Sequence, residues 1–273
     1  MKSIGEAPGR RLEAIEIVED RSAESRCDEG FLRLQRLRLR NRYAGGETSE
    51  VYDCDVLARP GSDAVVAVLY AVETDDDGRR RVQVVLRDGP RAPVYLRCHK
   101  KFVHPDPRTY LSLTEVVAGL VEEGDGSGEA GLRRRAAIEA EEEAGISAAP
   151  EDFHPVGGET FASPGTGDEK IYFCAGEIDV SQARPGRGDG SVMEECARLV
   201  TLELGEALEA CRDGRIPDMK TEFALLRLAD HLGYLPHLGC FADELPPALA
   251  ERYTRLGIEP PSVRRPTRSA SAQ

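Results

Sequence analysis

The chain has 273 residues, of which 40% are hydrophobic and 31% are charged, a composition typical of a globular protein rather than a disordered one. It carries 36 lysines and arginines against 49 aspartates and glutamates, which gives a net charge of −13. Proteins that bind nucleic-acid backbones usually present a basic surface, so we expect no nucleic-acid partner. No apolar run of membrane-spanning length and no signal-peptide core occur, so we expect a cytoplasmic protein without a membrane partner.

The seven cysteines are scattered along the chain and never form a C-x-x-C pair, as expected for free thiols in a reducing compartment. Cys98, His99 and His104 lie close together and suggest zinc. Because no second pair of ligands follows at zinc-site spacing, the sequence favours an ordinary polar loop there.

The first elements in the chain are predicted to be strands. Residues 31–43 alternate apolar and basic side chains, and residues 50–58 read as a second strand beyond the turn signal Gly45-Gly46. Together they predict an antiparallel hairpin. Two further strands are expected, a buried valine-rich one at 64–72 and another at 81–87.

The rest of the chain mixes helices and strands. Residues 88–112 look like a loop, and residues 258–273 look disordered. Strands are predicted at 114–121, 152–162, 169–178 and 197–203, and helices at 132–144, 205–213 and 219–232. The order of elements predicts an α+β fold, an α/β/α sandwich around a mixed sheet, with an antiparallel β extension at the N-terminus.

The helix at 132–144 carries the most informative residues. Residues three and four apart share a helix face, so Glu139, Glu142 and Glu143 project to one side. A solvated acidic face is the plain alternative. Alanines on the opposite side favour close packing, and Mg²⁺ prefers oxygen ligands of this kind. Such a platform suits hydrolysis of a phosphoanhydride, because metals neutralise the pyrophosphate and lower the pKa of an attacking water.

These residues resemble the Nudix box, G-x5-E-x7-R-E-U-x-E-E-x-G-U, in which U is a bulky aliphatic residue. The second half of the box matches Glu139, Ala140, Glu142, Glu143, Gly145 and Ile146, and its first glycine matches Gly119. In this chain Ile138 stands in the place of the box arginine, Asp125 stands in the place of the first glutamate, and the connecting segment is longer than usual. One of Arg133, Arg134 and Arg135 is a candidate substitute for the missing arginine, from the previous turn.

The wider sequence is similar to the ADP-ribose and nucleotide-sugar pyrophosphatase branch of that family, over about residues 45–235. Glu115-Val116-Val117-Ala118-Gly119 matches the segment E-x-x-A-G that leads into the box, and Gly176-Glu177-Ile178-Asp179 matches a later run. Arg91 falls at the arginine of the branch's Q-Y-R element, and the segment from Ala162 to Gly165 matches a substrate loop.

The resemblance implies a role for each matching residue. Glu139, Glu142, Glu143 and the backbone carbonyl of Ala118 would hold Mg²⁺, with Mn²⁺ as a substitute. The catalytic base would lie on a later loop, with Glu195 the first choice and Glu194 the second, and Glu142 belongs to the same catalytic set. Arg91, Ser163 and Gly165 would contact the substrate. Each has a plain alternative, an exposed acidic loop, a surface arginine or an ordinary turn.

The expected reaction is hydrolysis of the pyrophosphate bond of ADP-ribose to AMP and ribose 5-phosphate. UDP-glucose or GDP-mannose is the alternative substrate. A catalytically weak nucleotide-binding sensor and a structural protein without metal are the alternatives from other classes. The expected organisation is an N-terminal extension at 1–60 that serves as a dimerisation element, a Nudix domain at 61–240 and a partly disordered tail at 241–273. The resemblance also implies a homodimer.

Overall fold

The computed structural model describes residues 2–4, 17–19, 26–59, 61, 63–186 and 196–256. Within these ranges, regular elements run from the first described residues to the last. The strands are β1 Lys2–Ile4, β2 Arg33–Leu39, β3 Tyr52–Ala58, β4 Ala64–Thr74, β5 Arg80–Pro90, β6 Ser112–Glu115, β7 Val117–Leu120, β8 Phe153–Pro155, β9 Thr160–Phe161, β10 Lys170–Glu177, β11 Arg198–Glu203, β12 Tyr234–Leu235 and β13 Cys240–Phe241. The helices are α1 Ala92–Tyr95, α2 Gly128–Ala144, α3 Leu204–Arg212, α4 Met219–Leu232 and α5 Pro247–Arg255.

The main sheet has the strand order β1-β11-β5-β4-β10-β8. β4 and β10 pair in parallel, with Ile171 opposite Ala64, whereas β4 and β5 pair antiparallel. The sheet is therefore mixed, as the sequence predicted. β4 is buried along most of its length because both faces of the sheet are covered, which explains its unbroken run of apolar residues.

Helices cover the two faces. On one face α2 packs its alanines, Ala136, Ala140 and Ala144, against Val65 and Leu69 of β4. The small side chains let the helix approach the sheet closely. On the other face α3 and α4 form the larger core cluster, in which leucines of both helices pack against alternate residues of the same strand. The layers make an α/β/α sandwich, so the predicted fold class is confirmed.

The two central strands β4 and β5 diverge beside the candidate site. β4 and β5 pair from Thr74 to Leu69, and from there the β6–β7 segment lies between them. β6 pairs with the end of β5, and β7 pairs with the start of β4. The sequence predicted one strand at 114–121, but Val116 interrupts it, and its amide donates instead to Thr221 Oγ1 of α4 at 2.9 Å. Because of this break, the segment pairs with β5 before Val116 and with β4 after it. Glu115 and Gly119 therefore lie on either side of the break.

The N-terminal hairpin is confirmed. β2 and β3 pair antiparallel, from Arg33 opposite Ala58 to Leu39 opposite Tyr52. The hairpin contacts the domain through the amide of Leu57, which donates to the carbonyl of Thr166 at 2.8 Å. It exposes several large apolar side chains, with between 40% and 65% of their surface accessible: Phe31, Leu32, Leu37, Tyr43, Val51, Tyr52 and Leu57.

Several short elements were not predicted. β1 lies in a segment that showed no period and joins the sheet edge beside β11, with Ser3 opposite Val200. Residues 242–255, inside the predicted tail, contain a 3-10 turn and α5. The disorder predicted for 258–273 falls outside the described residues. Among the described residues, no helix combines the length and the apolar composition that crossing a bilayer requires.

Candidate metal centre and active site

Glu139 and Glu143 of α2 lie against β7. Glu139 is 7% exposed, and the backbone amide of Ala118 donates to Glu143 Oε2 at 3.2 Å. Burial, together with the charges of Glu143 and Glu142, raises the pKa of Glu139 to about 8. The three carboxylates therefore repel one another in a partly dehydrated place, an arrangement that a cation would stabilise.

Gly119 lets the Glu139 carboxylate lie directly against the strand. A Cβ atom at position 119 would come within 1.7 Å of Glu139 Oε1. Every other residue would therefore displace the carboxylate. The need for glycine here comes from this close approach, since its backbone conformation is accessible to other residues.

Arg135 occupies the role that the sequence left open among three arginines. It is 6% exposed, and Asp125 is 3% exposed. Its Nε and Nη2 each donate to one carboxylate oxygen of Asp125, both at 2.9 Å, and Nη1 lies 3.5 Å from Glu139 Oε1. Burial alone would lower the pKa of Arg135, but the hydrogen bonds and charges of Asp125 and Glu122 outweigh it and raise the pKa.

The geometry explains the two departures from the box. Ile138 is one helical turn beyond Arg135, and Asp125 reaches the guanidinium with a shorter side chain than glutamate. Arg135 therefore contacts both Asp125, which stands at the first glutamate of the box, and Glu139. The pair of Arg135 and Asp125 is bidentate, which fixes the orientation of the guanidinium. The position of the guanidinium in turn determines which side of the Glu139 carboxylate remains open.

A second arginine, which the sequence reasoning did not single out, faces Glu143. Arg87 of β5 is 7% exposed, and its Nη1 lies 3.3 Å from Glu143 Oε1. Its position was not predictable from local spacing, because it depends on β5 pairing with β6, where Arg87 stands opposite Glu115.

Arg91 begins a series of hydrogen bonds and ion pairs between side chains that reaches α4. Its Nε donates to Glu115 Oε2 at 2.5 Å, and Lys220 Nζ lies 3.1 Å from Glu115 Oε1. Lys220 also contacts Asp218 at 3.0 Å, and Asp218 caps α4 by accepting from the amide of Thr221. About two fifths of the Arg91 side chain remains exposed, at 43%. One flank of the site is thus connected to the first turn of α4, which sequence spacing did not reveal.

The substrate-loop residues lie at the same end of the sheet. Ser163 Oγ shares a hydrogen bond with Thr166 Oγ1 at 2.7 Å, and Gly165 lies in the same turn with open space around it. The following strand begins opposite Ala64, which also pairs with Leu120 of β7. Among the described residues, no hydrogen bond or ion pair joins Ser163 or Gly165 to Arg91 or to the α2 carboxylates.

Glu194 and Glu195, the candidate bases, lie outside the described residues. The described residues on either side are close to the site. Gly186 sits against the carbonyl of Glu142, where a Cβ would come within 1.8 Å of the oxygen. On the other side, Arg198 Nε donates to Asp88 Oδ2 at 2.9 Å.

The residues fit a divalent cation by their chemistry. In the described ranges, no three acidic, histidine or cysteine side chains already converge as a metal site. The donors that would hold Mg²⁺ are nevertheless the type it prefers, namely the carboxylates of Glu139, Glu142 and Glu143. The Ala118 amide points at Glu143, and a strand residue directs its amide and carbonyl to the same side, so that carbonyl faces the same region.

Comparisons with known proteins bear on the fold of the chain. No protein-family model matches the chain. A crystal structure of an ADP compounds hydrolase superposes with a TM-score of 0.50 at 16% identity, over 82% of this chain and 97% of that one. This chain shares the fold of that hydrolase. A curated ADP-ribose pyrophosphatase of Haemophilus influenzae is 30% identical over 156 residues, which cover 57% of this chain and 61% of the relative.

The chain therefore matches somewhat less than two thirds of the length of that curated relative. The two comparisons support the resemblance to the ADP-ribose pyrophosphatase branch of the Nudix family, which the sequence indicated from Gly119, the α2 glutamates and Gly145.

Proposed function

We propose that the chain is a Mg²⁺-dependent Nudix-type hydrolase that cleaves ADP-ribose at its pyrophosphate bond, giving AMP and ribose 5-phosphate. The observation that carries the proposal is the buried Glu139 carboxylate pressed against Gly119, beside Glu143 and held by Arg135. The names of the similar proteins, an ADP-ribose pyrophosphatase and an ADP compounds hydrolase, support the substrate class.

In the proposed mechanism, Glu139, Glu142, Glu143 and the Ala118 carbonyl hold the cation. When bound, Mg²⁺ neutralises the pyrophosphate charge and lowers the pKa of an attacking water, and Mn²⁺ would substitute for it. Arg135 and Arg87 fix two of the carboxylates, so that little reorganisation is needed during the reaction.

Other residues would bind the substrate and move the proton. Among the described residues, Arg91 hydrogen-bonds only through its Nε, to Glu115, so its terminal nitrogens can donate to a phosphate, which a guanidinium fork fits well. Ser163 and Gly165 would shape the substrate loop. Glu195, or else Glu194, would accept the proton of the attacking water, with Glu142 as the alternative within α2.

The alternatives differ in their support. UDP-glucose and GDP-mannose need the same pyrophosphate chemistry and remain the alternative substrates. The sensor hypothesis rests on Ile138 in the place of the box arginine and on the longer connecting segment. The contact of Arg135 with Glu139 weakens the first of these motives. A structural protein without metal would not need three repelling carboxylates over a glycine that admits no side chain.

The substrate test compares ADP-ribose, UDP-glucose, GDP-mannose and NADH with and without Mg²⁺, with products separated by chromatography. We expect Mg²⁺-dependent release of AMP from ADP-ribose. Glu143→Gln should lower the rate about 100-fold or more, since preorganised electrostatic groups contribute at that scale. Glu141→Gln, an exposed change on the same helix, is the matched control and should retain activity. Turnover of none of these compounds by folded protein would overturn the proposal.

We also propose that the protein acts in the cytoplasm as a homodimer. All seven cysteines are free thiols, as in a reducing compartment. One face of the hairpin of β2 and β3 presents apolar side chains, including Leu37 and Tyr52, that a second copy would cover.

Light scattering coupled to size exclusion measures the mass directly. We expect twice the chain mass of 29.8 kDa for the wild type and the chain mass itself for Leu37→Ser/Tyr52→Ser, which changes two residues on one face of the hairpin. Arg36→Gln, an exposed change on the same hairpin, should remain dimeric. A wild type that is monomeric at micromolar concentration would exclude the dimer.

A further inference from the structure

The loop at residues 96–111 is basic in an otherwise acidic protein. It follows α1, which begins directly after Arg91, and it ends where Ser112 pairs with Pro90 of β5. Its cations are Arg97, Lys100, Lys101 and Arg108, and its one acidic residue is Asp106. Because the whole chain has a net charge of −13, this concentration of positive charge is local to one loop.

The loop encloses an open cleft of about 550 Å³. Its lining includes Arg97, Phe102, His104, Asp106 and Arg108. Small-molecule sites have volumes of about 300–1,000 Å³, so the cleft has the size of a ligand site. Across the part of the chain that the structure describes, no hydrogen bond or ion pair joins these lining residues to the carboxylates of α2.

Arg97 is held in place with its donors free. Its guanidinium lies 4.2 Å from the centre of the Phe102 ring, and its Nη2 is 3.7 Å from Asp106 Oδ2. Asp106 already accepts a hydrogen bond from the hydroxyl of Tyr110 at 2.9 Å and another from the amide of Arg108 at 3.2 Å. Across the described residues, the Arg97 guanidinium has no hydrogen-bond acceptor of its own.

Arg108 is fixed on the other side of the cleft. Its Nη1 donates to the carbonyl of Gly214 at 2.6 Å, and its guanidinium lies 4.8 Å from the centre of the Tyr110 ring. Asp106 is 3.9 Å from its Nε, too far for a hydrogen bond. One carboxylate thus faces two positioned guanidinium groups, which leaves an excess of positive charge and of N–H donors.

We propose that this cleft binds the pyrophosphate group of a small molecule, at a site separate from the carboxylate centre. Guanidinium groups bind phosphate oxygens through paired N–H donors, and here two are positioned before any ligand arrives. The shared chemistry is a pyrophosphate, which can come as the free anion or as part of a nucleoside diphosphate.

The test measures binding by calorimetry in the presence of EDTA, with inorganic pyrophosphate and ADP as the two probes. EDTA removes divalent cations, so the α2 carboxylates repel both probes and binding at the carboxylate centre is weakened. We expect Arg97→Gln/Arg108→Gln to weaken binding about tenfold or more, the scale of hydrogen bonds to charged groups. Arg81→Gln, at the opposite end of β5, is the control for a general loss of positive charge, and Glu143→Gln is the control for the carboxylate centre.

The outcomes separate this site from the proposed enzymatic activity. Binding that is lost in the double variant but unchanged in both controls supports the cleft, even if no substrate is hydrolysed. Tighter binding of ADP than of pyrophosphate identifies a nucleotide as the ligand, and equal binding identifies the free anion. Absence of binding to the wild type overturns the proposal, and so does equal binding by the double variant or an equal loss in Arg81→Gln.

Discussion

Gly119→Ala is expected to lower the turnover of ADP-ribose by about 100-fold while leaving the protein folded, since displacement of a reacting group by roughly 1 Å costs that much. The added methyl would overlap Glu139 Oε1, which is 1.7 Å from the ideal Cβ position. The overlapping atom is the end of a flexible side chain, so Glu139 can move away at little cost in stability. The expected damage is therefore to the metal centre rather than to the fold.

Steady-state kinetics and thermal unfolding of the same preparation test this expectation. Gly158→Ala is the matched control, because a Cβ at that position meets no atom within 4 Å. We expect the control to keep both its activity and its melting temperature. Full activity in Gly119→Ala would show that the position of the Glu139 carboxylate against β7 is unimportant for the reaction.

Arg135→Ala is expected to destabilise the protein by about 3–5 kcal/mol, because removal of one partner leaves the other as an uncompensated buried charge. Asp125 is only 3% exposed and takes two hydrogen bonds from Arg135. Glu139 loses its neighbouring cation in the same variant, so activity should also fall.

Urea unfolding of Arg135→Ala, Asp125→Asn and the double variant measures this contribution. The losses of unfolding free energy in the two single variants should not add in the double variant. Asp125→Asn removes the charge that Arg135→Ala has already left unpaired. Arg255→Ala, which breaks an exposed pair with Glu251, should cost less than about 1 kcal/mol. A similarly small loss in Arg135→Ala would contradict the account of the buried clamp.

The sequence predicted the parts of the site that depend on local geometry. Glu139, Glu142 and Glu143 share a face because helical spacing requires it, and Gly145 ends α2 in a left-handed conformation with φ at 61°. The mixed sheet and the two-sided helical cover also followed from the order of the elements. For the glutamates and Gly145, the determining interactions lie within a few residues along the chain.

Contacts between distant segments were not predictable in the same way. Three consecutive arginines were equivalent in the sequence, and Arg135 is distinguished by its contacts with the carboxylates of Asp125 and Glu139. Arg87 and Lys220 approach the site because β5 diverges from β4 and because α4 docks on the break at Val116. Such positions depend on tertiary packing, which a single sequence does not encode in a local pattern.

The central claim is that the three glutamates of α2 form a divalent-cation site, and Mn²⁺ binding followed by electron paramagnetic resonance tests it without any assumption about substrate. The account predicts that the wild type and Glu141→Gln bind Mn²⁺ equally and that Glu143→Gln binds it about tenfold or more weakly, at least the effect of losing a supporting residue around a metal. Equal Mn²⁺ binding by the wild type and Glu143→Gln, or no binding by the wild type, would contradict the account.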